Sequence, residues 1–168
     1  MAQPSIPFSV PSGRPEWQPE GEAYWAARQA HLRSPTFGAR LTRAEVLAAE
    51  RLEHMGERFA WIPATKFART SDMYWVSRDG RPWEIKSPDL DGWSGLTPLE
   101  QYRRIASRIS DDARWKKRFI VDLGTEVISG GLIRHLSEYN RRRSKVPDYN
   151  IDKLVVLSNR QIIEVHLA

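Results

Sequence analysis

Hydrophobic positions recur at helical spacing between Thr42 and His54, where Ala44, Val46, Leu47, Ala48, Ala49, Leu52 and Met55 form an apolar face. Gly56 supplies a stop signal directly after it. The pattern then shortens to strand-like runs: Phe59–Ile62, closed by Pro63, and two segments around an Asp79-Gly80 turn. Residues 87–98 are rich in Gly, Asp, Ser and Pro and read as a loop. Leu99–Trp115 returns to helical spacing, with Tyr102, Ile105, Ala106 and Ile109 on one side. Lys117–Leu123 reads as a short buried strand, and 125–144 as a helix weakened in its front half by Gly130-Gly131. Lys153–Leu157 and Gln161–Leu167 form a closing pair of strands. The order α-β-β-β-α-β-α-β-β predicts a mixed sheet with helices, an α/β or α+β domain.

Residues 1–40 stand apart as a Pro-rich arm with a short helix over about Glu20–Arg33, and the main domain runs over 41–168. With 40% hydrophobic and 28% charged residues, the chain fits a soluble globular domain. No apolar run approaches the ~20 residues of a membrane span. No basic segment followed by an apolar one opens the chain, so no signal peptide is expected. With no cysteine there are no disulfides and no thiolate metal sites, and the four histidines are scattered singly.

The net charge of +5 favours a polyanionic partner. Seven Lys/Arg residues lie between Arg103 and Arg118 against Asp111 and Asp112, and Arg141-Arg142-Arg143 with Lys145 forms a second cluster. Each could be a solvated face. Two such clusters accompanying the chemistry described next favour phosphate contacts.

That chemistry sits between Ser71 and Pro88. Strand alternation puts Glu84 and Lys86 on one face and Ile85 on the other, with Asp72 supplied by the preceding segment. Two carboxylates and an amine on one side of a hairpin match the needs of metal-dependent phosphodiester hydrolysis. Asp72 and Glu84, with the backbone carbonyl of Ile85, are the expected Mg²⁺ (or Mn²⁺) ligands. Lys86 is expected to orient the attacking water. An isolated Glu-x-Lys is usually a solvent-facing ion pair of little energetic worth; Trp83 and Ile85, which mark a buried strand, argue against that here. Glu45 has two readings. It completes a Thr42-x-x-Glu45 capping box, and it also heads the face Glu45, Ala48, Ala49, Leu52, Gly56 that would aim it at the sheet. Ser87 and Trp93 beside the hairpin are candidate nucleic-acid contacts, Trp93 as a stacking surface for an unpaired base. Arg103, Arg104, Arg108, Lys116 and Lys117 are candidate phosphate contacts.

Glu45…Ala49…Leu52…Gly56, then Asp72, then Glu84-Ile85-Lys86, resembles the PD-(D/E)xK nuclease superfamily. The texture around it, Ser-Asp-Met, Trp-Glu-Ile-Lys-Ser-Pro, a basic helix and Phe-Ile-Val-Asp-Leu, is similar to the toxin nuclease domain of CdiA-type contact-dependent growth inhibition proteins. The resemblance covers roughly Leu41–Leu167. It implies a restriction-endonuclease-like mixed sheet flanked by helices and a metal-dependent endonuclease acting on RNA, with tRNA favoured. Asp72 and Glu84 would be the metal ligands, Lys86 the catalytic lysine and Glu45 the helical acid. It also implies delivery as a secreted toxin domain, action in the cytoplasm and a cognate immunity protein, with no membrane partner. A DNA endonuclease of a phage or mobile element is the nearest alternative. A nucleic-acid-binding module with a vestigial site is the rival from another class. The second helix region over Ser107–Trp115 lacks the glutamine expected in many DNA-cutting relatives.

Overall fold

The computed structural model describes residues 42–62, 69–143, 145–158 and 161–168. The expected Pro-rich arm and its short helix lie outside the described residues. The chain divides into two compact units, Met1–Trp83 and Glu84–Ala168.

In the first unit, helix α1 (Arg43–His54) begins at Thr42, whose hydroxyl accepts from the Glu45 N–H at 3.2 Å. The Glu45 carboxylate returns the bond, accepting from the Thr42 N–H at 2.9 Å. This reciprocal box satisfies two amides that the helix leaves without partners. The helix ends in a Schellman motif: Gly56 takes φ +83°, its N–H reaches Glu53, and the Glu57 N–H reaches Leu52, each at 3.0 Å. Val46, Ala48, Ala49 and Leu52 are fully buried. Ending the helix there delivers Glu57 to the hairpin. Its carboxylate accepts from the Trp75 indole at 2.8 Å, from the Ser77 hydroxyl, and from Arg78 at 3.2 Å.

Strand β1 (Ala60–Trp61) pairs antiparallel with β2 (Met73–Tyr74), which pairs antiparallel with the start of β3 (Pro82–Lys86). The β2–β3 connection is longer than a two-residue Asp-Gly turn, because Trp75 N–H and carbonyl close it against Arg81 and Gly80. Gly80 takes φ +64°. Asp79 fixes the corner by accepting from the Arg81 N–H and the Trp83 indole.

In the second unit, the last three residues of β3 run parallel to β4 (Arg118–Asp122), and β4 runs parallel to β5 (Lys153–Ser158). β6 (Gln161–Glu164) closes the edge antiparallel to β5. Helix α2 (Pro98–Ser110) connects β3 to β4, and a second capping box, Thr97 with Glu100, starts it. Helices α3 (Gly130–Ser137) and α4 (Tyr139–Arg142) connect β4 to β5. Both parallel pairs therefore have helical crossovers, as their geometry demands. Tyr102, Ile105 and Ile109 of α2 join Leu132, Leu136 and Tyr139 in one core with Phe119, Val121, Leu154 and Val156 of the strands.

The expected α+β class holds. One helix starts later than its periodicity predicts. Residues 125–129 are not helical, because Ser129 takes the N-cap position and donates no further turn, accepting instead from the Leu132 N–H at 3.1 Å. Gly131 is then a packing requirement: a Cβ there would lie 2.9 Å from Pro98 Cγ at the start of α2.

Candidate active site

Glu84 pairs with Phe119 and Lys86 with Val121, so both side chains lie on the sheet face that carries the α2–α3 core. Ile85 pairs with Ile120 on the opposite face. Beyond α2 the chain keeps helical bonding for one more turn. The Asp112 and Ala113 amides reach Ile109, and the Lys116 amide reaches Asp112 at 2.9 Å. Asp112 and Lys116 thus stand at i and i+4 on one side. Ala113, fully buried, anchors the turn from beneath. Lys117 pins it from behind, its ammonium donating to the carbonyls of Ala113, Asp148 and Asn150 at 2.7, 2.7 and 2.8 Å.

The turn brings two further charged groups onto the strand. Lys86 Nζ lies 3.1 Å from Glu84 Oε1 and also donates to Asp112 Oδ2. Lys116 Nζ lies 2.7 Å from Glu84 Oε2 and 3.8 Å from Asp112 Oδ2. The result is a quartet of alternating sign with no net formal charge. Glu84 and Lys116 form its inner pair, with side chains 7% and 11% exposed; Lys86 and Asp112 form its outer pair at 17% and 19%. Burial opposes the charge on Lys86, but hydrogen bonding to Asp112 and the charge of Glu84 outweigh it. Its pKa is raised above the ordinary lysine value. Lys86 is therefore an ammonium at neutral pH, suited to compensating negative charge.

An open groove of about 580 Å³ lies in the same unit, lined by Asp89, Arg103, Arg104, Ser107 and Arg108. Asp89 is three residues beyond Lys86, at most about 11 Å of extended chain, and Arg108 is one helical turn before Asp112. Arg103 and Arg108 are exposed. Arg104 holds the loop wall in place, donating to the carbonyls of Asp89 and Asp91 at 3.0 and 2.8 Å.

Several expected site residues are placed differently. Trp93 offers no face for a base to stack on: it is 1% exposed and belongs to the core. The Lys117 ammonium donates to three backbone carbonyls and braces the turn. Lys116 faces Glu84 instead of an outer surface. Ser87, half-buried, follows Lys86 directly. Glu45 closes the capping box of α1 in the first unit. Asp72, half-buried, also lies in the first unit, one residue before β2, with its N–H on Trp83 and its carbonyl taking the Ile62 N–H.

The residues present do not fit the expected Mg²⁺ set. Both oxygens of Glu84 carry a lysine ammonium, where a cation would have to bind. Among the described residues no three His, Asp or Glu side chains cluster in a metal-holding group. Asp112 is the residue that sequence reasoning passed over. It appeared as a stray acid in a basic run, and its signal was the i,i+4 spacing to Lys116 just before a buried strand.

Among the described residues no helix is long and apolar enough to cross a membrane. No family model, curated protein or solved structure matches this chain.

Proposed function

We propose that this chain is a nuclease that cleaves RNA phosphodiesters at the Glu84–Lys86–Asp112–Lys116 quartet. The observation that carries the reading is the convergence of two carboxylates and two ammoniums in the unit that also carries an arginine-lined groove. A carboxylate can take a proton from a nucleophile. An ammonium can stabilise charge on phosphorus oxygens or protonate a leaving oxygen. In this reading Arg103 and Arg108, both exposed in the groove, hold the neighbouring phosphates. The quartet has little structural justification, since a desolvated ion-pair cluster is often no more stable than apolar residues of similar size.

The resemblance to CdiA-type toxin domains makes tRNA the leading substrate. It also suggests a secreted toxin acting in the cytoplasm and neutralised by an immunity protein, whose surface would be acidic where it covers the basic groove. Incubation of wild-type protein and Lys86→Met with total tRNA and with plasmid tests the reading. Wild type is expected to cut tRNA, with Lys86→Met slower by about 10²-fold or more. Equal cleavage by both proteins would remove the quartet from the chemistry.

A further inference from the structure

From the quartet we infer, resting on the nuclease reading above, that cleavage is a metal-independent transesterification of RNA, with Asp112 as base and Lys86 as acid. Metal-dependent hydrolysis asks a cation for two things, a nucleophilic water and charge compensation at phosphate. Here charge compensation is built in, because each carboxylate of the quartet already contacts lysine ammoniums. What the quartet offers a nucleophile is a carboxylate base alone, without the acidification that a bound cation gives to water. A ribose 2′-hydroxyl removes that need, since it is held next to its own phosphorus. Intramolecular nucleophiles reach effective concentrations on the order of 10⁵–10⁸ M.

Exposure divides the roles. Lys86 and Asp112 are the outer pair, so they touch substrate; Glu84 and Lys116 lie behind them as positioning residues. Asp112 removes the 2′-hydroxyl proton. The 2′-oxygen forms a bond to phosphorus while the bond from phosphorus to the 5′-oxygen breaks. The leaving 5′-oxygen takes a proton from the Lys86 ammonium. The products are a 2′,3′-cyclic phosphate and a 5′-hydroxyl end, with no oxidant, metal or water consumed. The proton gained by Asp112 then returns to Lys86 across their direct contact, which restores the starting charges.

The test uses the full chain with two matched oligonucleotides, one RNA and one all-deoxy, each in EDTA and in Mg²⁺, with product ends read by mass spectrometry. The expected result is cleavage of RNA alone, at rates within about threefold in the two conditions, leaving a cyclic phosphate. Removing either outer group, as in Asp112→Asn, should lower the rate by about 10²–10⁴-fold. Lys116→Arg should keep most activity in EDTA and Lys116→Met should lose it, a rescue that a packing role alone would not give. Cleavage only with Mg²⁺, cleavage of the deoxy strand, or a linear phosphate end appearing without a cyclic precursor would each overturn the inference while leaving a nuclease in place. No cleavage of either strand under any condition would overturn the inference together with the nuclease reading.

Discussion

Lys116 Nζ sits 2.7 Å from Glu84 Oε2, although the two residues belong to different elements and are separated by the whole of α2. This contact turns a strand-borne Glu-x-Lys into a four-membered site. It exists because α2 ends at Ser110 and its bonding pattern continues for one more turn, which swings Asp112 and Lys116 over the strand. The same turn is held by a buried alanine and by three lysine-to-carbonyl bonds, so the geometry is fixed by packing.

Arg103 and Arg108 are expected to act through phosphate charge, with Arg104 bracing the loop. The double variant Arg103→Ala/Arg108→Ala should weaken binding to single-stranded RNA uniformly across sequences. It should also reduce the salt dependence of log K by about 0.7 per residue. Filter binding across a salt series measures this. An unchanged slope would move the RNA track elsewhere.

Lys86 should leave a signature in alkaline stability. Its folded pKa is raised above the unfolded value of 10.5. The stabilisation is therefore complete below the unfolded pKa and is lost as pH rises through the folded one. Urea midpoints taken from neutral pH to about pH 12 should fall more steeply for wild type than for Lys86→Met. Parallel curves would mean that the ammonium contributes no linked stability.

Much of this was legible in the chain. The cap of α1 follows from Thr42-x-x-Glu45, the buried strand from Phe119-Ile-Val-Asp, and the side-by-side placement of Glu84 and Lys86 from strand alternation alone. These are local rules, and local rules read well from sequence. The misplaced residues depended on tertiary packing. Trp93 stands in a Gly/Ser loop that looks exposed, yet a one-turn 3₁₀ helix over Trp93–Gly95 and the Gln101 side chain, which donates to the Trp93 carbonyl, fold it into the core. Lys117 is one basic residue among several, and only the path of residues 148–150 reveals the three carbonyls waiting for it. Glu45 had two readings of equal pattern, and the observed geometry is the cap. Asp112 could not be paired with Lys86 from spacing, because 26 positions separate them.

The two glycines that open α3 should respond oppositely to alanine. A Cβ at Gly130 meets nothing within 4 Å, so Gly130→Ala gains up to about 1 kcal/mol of helix propensity. A Cβ at Gly131 meets the stiff ring of Pro98 at 2.9 Å. Overpacking of about 1–3 kcal/mol there exceeds the propensity gain, and the variant should be less stable than wild type. Denaturant midpoints of the two variants check the sign. A stabilised Gly131→Ala would mean that the α2–α3 junction yields easily.

Glu57 should govern acid sensitivity in the first unit. Burial raises its pKa, but hydrogen bonds from Ser77 and Trp75 and the Arg78 guanidinium outweigh it, and the net shift is downward. Its stabilisation is thus present above the unfolded value of 4.5 and is lost as pH falls through the folded one. Glu57→Gln should cost about 1–3 kcal/mol near neutrality and flatten the acid-side decline. Urea midpoints of wild type and Glu57→Gln taken through an acid titration check this; parallel curves would mean that Glu57 contributes no linked stability.

The quartet as a working unit is tested most directly by a double-mutant cycle on Asp112 and Lys86, read as single-turnover cleavage of RNA in EDTA by proteins shown to be folded. If the outer pair carries the chemistry, Asp112→Asn and Lys86→Met each lose about 10²-fold or more, and the double variant is scarcely slower than either. Additive losses, or a single variant within a few-fold of wild type, would contradict the account.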